Sequence, residues 1–158
     1  MNTILELPAP APKPARPARR KRILLVDEDS AVRQIVLRLL SEEGYFVVTA
    51  ANDAEAFEFT TLMRFDLVLL DLNTPARGGW EIFEQLYERN PMLAIILITS
   101  RPSQFYSAVW AGALLEKPLD FTKLFFTIHT LLEEPAKARF AREPGRHPAQ
   151  ACNISPTI

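Results

Sequence analysis

FDLVLLDLNTPARGGWEIFEQL, residues 65–86, decides the fold. Its opening, Asp66 to Leu70 (DLVLL), is short enough for a strand and apolar enough to be buried on both faces, as strands inside parallel sheets are. Trp80 to Arg89 then predicts a helix. Between them stands Asp71, at the end of the strand. An unpaired carboxylate beside a buried strand is costly, so a structural role explains Asp71 poorly and a chemical role explains it well.

Working outward, the same alternation repeats. Ile23 to Val26 predicts a first strand. Ser30 to Glu43 follows as a helix with Val32, Ile35, Val36, Leu39 and Leu40 on one face, capped by Asp29 and stopped by Gly44. Tyr45 to Thr49 is a second strand and Asp53 to Leu62 a second helix. Beyond residue 86, Leu93 to Ile98 (LAIILI) is strand four, Ser103 to Ala111 a short helix, Leu114 to Leu115 a short strand and Phe121 to Leu132 the last helix. Five strands alternating with five helices predict an α/β fold, a doubly wound parallel sheet with helices on both faces.

Sheets of this kind bind ligands beyond the carboxyl ends of their strands, where the strand order reverses. Strand one is followed by Asp27, Glu28 and Asp29, strand three by Asp71, strand four by Thr99 and Ser100, and strand five by Glu116 and Lys117. Acids, a hydroxyl and a lysine are thus expected on one rim.

The chain of 158 residues is the size of one domain. Apolar residues make up 48% and charged residues 23%, which excludes disordered and fibrous classes. The formal net charge of -1 hides an asymmetry. Acids outnumber bases roughly two to one between Ile23 and Glu134, whereas Pro8 to Arg22 carries Lys13, Arg16, Arg19, Arg20, Lys21 and Arg22 with no acid. That Pro/Ala/Arg-rich stretch reads as a solvated leader, so residues 1–20 are assigned to a leader, 21–134 to the folded domain and 135–158, with Pro135, Pro144, Pro148 and Pro156, to a tail. The single cysteine, Cys152, offers no disulfide framework. No apolar run is long enough to span a membrane and no signal peptide is evident, so a cytoplasmic location is expected.

Crowded carboxylates stay ionised only if a cation or basic side chain offsets their repulsion. Mg2+ suits the rim, since it takes one or two carboxylates, waters and a phosphate oxygen; Asp27, Glu28 and Asp71 fit that demand. An Asp carboxylate can also attack phosphorus, a transfer that depends on positioning and charge neutralisation. Asp71 is then the nucleophile, with Lys117 and Thr99 contacting phosphoryl oxygens. His129 and His147 lack partners at metal-ligand spacing, and Trp80 and Trp110 read as packing residues.

The segments ILLVDEDSAVRQIV, FDLVLLDLNTPARGGWEIFEQL, IILITSR and LLEKPLD, in this order, closely resemble the blocks of response-regulator receiver domains. The resemblance implies a flavodoxin-like sheet in the order 2-1-3-4-5, Mg2+ bound by Asp27, Glu28, Asp71 and the backbone carbonyl of Asn73, and phosphorylation of Asp71. It also implies that Thr99 and Lys117 contact the phosphoryl group, that the Lys117–Pro118 bond is commonly cis, and that Pro75 and Gly79 belong to the loop after the acceptor. The implied partners are a histidine kinase or phosphotransfer protein as donor, an unidentified downstream protein, and a second copy meeting the face of helix four, strand five and helix five. Two departures stand out. The span from Thr99 to Lys117 is short, and Leu114 occupies the place of an aromatic switch residue, a role for which Phe105 and Tyr106 are the substitutes at hand.

The leading expectation is a phosphorelay switch that catalyses only its own phosphotransfer and dephosphorylation and, with no DNA-binding segment after Glu134, signals by protein contact. The alternative is a receiver-like interaction module independent of phosphorylation. A phosphatase for external substrates would want a second acid at position 73, which is Asn. A nucleotide-binding protein would want a glycine-rich phosphate loop, and none is present.

Overall fold

The computed structural model describes residues 19–73, 78–104, 112–135 and 138. Five strands, β1 (Arg22–Val26), β2 (Phe46–Ala50), β3 (Leu67–Asp71), β4 (Ala94–Thr99) and β5 (Gly112–Glu116), form one parallel sheet in the order β2-β1-β3-β4-β5. The helices are α1 (Ser30–Glu42), α2 (Asp53–Leu62), α3 (Gly78–Arg89) and α4 (Phe121–Glu133).

The alternation along each strand feeds two cores. Leu24, Val26, Val68, Leu70, Ile95 and Leu97 meet Ala56 of α2 and Ile82, Phe83 and Leu86 of α3. Ile23, Leu25, Leu67, Leu69, Ile96 and Ile98 meet Val36 and Leu40 of α1 and Leu124, Ile128, Leu131 and Leu132 of α4. Every residue of β3 and β4 is buried, as strands covered by helices on both sides must be. The doubly wound architecture expected from the alternation is therefore present.

Several details differ from the sequence reading. Four α-helices, not five, lie among the described residues: Pro102–Gln104 forms a single 3-10 turn, and the rest of the helix expected over Ser103–Ala111 lies outside them. Phe105, Tyr106, Trp110, His147 and Cys152 lie outside them too. Strand β5 is longer than Leu114–Leu115 because Gly112 lets it begin early. A Cβ there would stand 2.1 Å from the Ile95 carbonyl oxygen, an approach that glycine alone allows.

The end of the basic stretch is also held. Arg19 Nη2 donates to both Asp66 carboxylate oxygens at 2.8 and 3.1 Å. Asp66 Oδ2 accepts a further bond from Arg22 N at 2.7 Å, and Arg22 is the first residue of β1. Asp66 thus ties the basic stretch to the end of the sheet opposite the acidic rim.

Candidate functional site

Each rim residue is aimed by the strand before it. Asp27 continues β1, its N–H donating to Ala50 O at 3.2 Å. Its Oδ1 accepts from Asp29 N at 2.8 Å, while Asp29 caps α1 by accepting from Ala31 N and Val32 N at 2.8 and 3.3 Å. Arg33, on the first turn of α1, donates from Nη1 to the carbonyls of Asp27 and Glu28 at 2.7 and 2.8 Å. Asp71 is the last residue of β3, and its Oδ1 accepts from Asn73 N at 3.0 Å. Lys117 follows β5, its N–H donating to Thr99 O at 2.9 Å. The Lys117–Pro118 peptide is cis, as the resemblance implied.

Two buried carboxylates converge on one ammonium. Lys117 Nζ lies 2.6 Å from Asp71 Oδ2 and 3.6 Å from Asp27 Oδ2, and both acids are 2% exposed. Burial pushes the Asp27 carboxyl above its ordinary value of 3.8. The Asp29 N–H works against that rise, the Asp71 charge adds to it, and Lys117 opposes it. Burial by itself would lower the Lys117 ammonium, but its hydrogen bond and attraction to Asp71, helped by Asp27, hold it above the ordinary 10.5.

Thr99 is fully buried at the end of β4, and its Oγ1 accepts from Arg101 N at 3.0 Å. Ser100 Oγ donates to Asn73 Oδ1 at 3.4 Å, joining the loops after β3 and β4. Glu28 is exposed. Among the described residues no three His, Cys, Asp or Glu side chains gather into a metal cluster, so the structure brings Asp27 and Asp71 together and leaves Glu28 at the solvent edge.

The donor set fits Mg2+. One ammonium against two buried carboxylates, with Glu28 adjacent, leaves excess negative charge on hard oxygen ligands, and Mg2+ needs one or two such carboxylates beside its waters. The sequence reading missed Arg33 and Asp66. In the sequence Arg33 is one more helix charge and Asp66 the opening residue of a strand, and only the folded geometry shows what they hold.

Residues 23–129 match the family model described as response regulator receiver domain. The transcriptional regulatory protein GlrR of Escherichia coli is 32% identical over 120 residues, covering 73% of this chain and 27% of that protein. Response regulator MprA of Mycobacterium leprae is 37% identical over 115 residues, covering 70% of this chain and 50% of its own length. The chain thus spans half or less of these curated relatives. Among solved structures, Thermotoga maritima response regulator TrrA in complex with Mg2+-BeF superposes with a TM-score of 0.64 at 32% identity, covering 70% of this chain and 98% of that one. The same protein in complex with histidine kinase ThkA gives 0.64 at 33%, covering 72% and 99%. A CheY-like receiver domain protein from Methanospirillum hungatei gives 0.68 at 30%, covering 73% and 95%. With its sheet order, its paired acids and its cis Lys117–Pro118 bond, the chain belongs to the response regulator receiver domain family of two-component systems.

Proposed function

We propose that Asp71 accepts a phosphoryl group from a histidine kinase or phosphotransfer protein and that the phosphorylated domain signals by protein contact. The observation that carries this reading is the sharing of Lys117 between Asp27 and Asp71. An Asp71 oxygen forms the new bond to phosphorus as the donor's bond to it breaks. Lys117, already at the acceptor, turns its charge to a phosphoryl oxygen, and the Thr99 hydroxyl donates to another. Asp27 and Asp71 supply buried carboxylates for Mg2+, Glu28 adds charge at the exposed edge and Asn73 its backbone carbonyl. When bound there, Mg2+ offsets the charge of the phosphoryl oxygens.

The Mg2+-BeF complex of TrrA and its complex with a histidine kinase support this reading by similarity. In it, residues 21–134 form the signalling unit and it works in the cytoplasm; no helix among the described residues is long and apolar enough to cross a membrane. The test is intact mass after incubation with acetyl phosphate. A phosphate adduct that requires both Mg2+ and Asp71, and is lost in Asp71→Asn, is expected. No adduct under any condition overturns it.

One observation favours a second reading, an interaction module that phosphate does not switch. Leu114 is half-buried against the core that includes Val68, Leu70 and Leu97, and it offers no aromatic ring to swing outward. An adduct on Asp71 that leaves the amide spectrum of β5 and α4 unchanged would select this reading.

A further inference from the structure

Arg33 is another cation beside the acidic rim, and its Nη1 bonds backbone carbonyls there rather than the carboxylates. One nitrogen, Nη1, binds two consecutive carbonyls, those of Asp27 and Glu28, at 2.7 and 2.8 Å. Hydrogen bonds from a guanidinium are charge-assisted and about twice as strong as neutral ones. Tying both carbonyls to a side chain of α1 fixes the peptide planes on either side of Glu28. Those planes set the directions in which the Asp27 and Glu28 side chains leave the backbone. From the other side, Asp29 N holds Asp27 Oδ1 at 2.8 Å. Glu28 is exposed, so its direction depends on the turn rather than on surrounding core.

We propose that Arg33 is a positioning residue for cation binding, a clamp on the β1–α1 turn that aims the Asp27–Glu28 acid pair. The inference rests on the reading that this pair serves Mg2+. Its sign separates it from a simple charge effect. A guanidinium near the acids repels Mg2+, so deleting it would tighten Mg2+ binding if charge were its whole contribution. Deleting a clamp loosens the pair and weakens binding, as losing an outer partner of a metal ligand does.

The experiment is calorimetric titration of the full chain with Mg2+ for wild type, Arg33→Gln, Arg33→Lys and Arg38→Gln, with folding checked by circular dichroism. Arg38 lies on the same helix, paired with exposed Glu42 at 3.0 Å, and serves as the control for charge. Arg33→Gln is expected to bind Mg2+ roughly tenfold more weakly, Arg33→Lys to fall between it and wild type, and Arg38→Gln to match wild type. Binding by Arg33→Gln as tight as wild type or tighter overturns the proposal, as does equal weakening in Arg38→Gln. If Arg33→Gln does not fold, Arg33→Lys decides, and wild-type affinity in it overturns the clamp. Wild-type protein that takes up no Mg2+ instead overturns the reading beneath it.

Discussion

Lys117 Nζ sits 2.6 Å from Asp71 Oδ2, closing a 46-residue separation in sequence across the end of the sheet. Removing the ammonium leaves two buried carboxylates facing each other uncompensated. Lys117→Met should therefore destabilise the metal-free protein by about 2 kcal/mol, below the cost of breaking a fully buried pair because the lysine keeps some solvent contact. Added Mg2+ should recover more stability in the variant than in wild type. Thermal unfolding with and without MgCl2 checks both; equal Mg2+ responses would contradict the account.

Asp27 gives a pH dependence of definite sign. Its carboxyl is raised above 3.8, chiefly by burial, so the folded chain holds that proton more tightly than the unfolded chain. Ionisation therefore costs stability as pH rises from 3.8 through the folded value. Asp27→Asn, which can still accept from Asp29 N, should make the metal-free protein more stable at pH 7, with the gain shrinking as pH falls towards 3.8. Lys117 acts in a different range: its contribution is complete below 10.5 and is lost as pH climbs through its raised folded value. Urea unfolding of both proteins across pH reads the difference, and a constant gap would refute the assignment to Asp27.

Three glycines should rank by what a Cβ would meet. At Gly112 it would lie 2.1 Å from Ile95 O, at Gly79 it would lie 2.6 Å from both Asp71 O and Leu72 Cα, and at Gly44, where φ is +89°, it meets nothing within 4 Å. Gly44→Ala should cost about 1 kcal/mol of backbone strain. Gly79→Ala should cost about 2 kcal/mol and, if Asp71 is the acceptor as proposed, also slow phosphorylation, because the displaced backbone is that of Asp71 and Leu72. Gly112→Ala should cost most. Denaturation midpoints test the order.

Asp66→Ala should release the basic stretch. With the bonds to Arg19 and Arg22 N gone, trypsin should cut after Arg19, Arg20 and Lys21 several times faster while cleavage within the helices stays slow. Unchanged kinetics at those bonds would show that the clip does not hold the basic stretch.

The sheet was legible because β3 and β4 are apolar up to the residue that ends each. Gly112 and Ala113 are poor strand formers, so the start of β5 depended on a contact with Ile95 that no local pattern announces. The rim acids, Thr99 and Lys117 were legible because each ends or directly follows a strand. What the sequence did not reveal was the division of labour. That Asp27 shares the ammonium while Glu28 faces water follows from turn geometry, and so does the grip of Arg33 on both carbonyls.

The strand order has a consequence for synthesis on the ribosome. Asp27 and Asp71 stand at the ends of β1 and β3, neighbours at the centre of the sheet, but their shared ammonium comes from Lys117, just after β5 at its edge. As the chain emerges from its amino end, both acids appear well before their counter-ion. A nascent chain halted before Lys117 carries two paired acids with no lysine beside them, so the residue that follows the last strand completes the charge balance of the site.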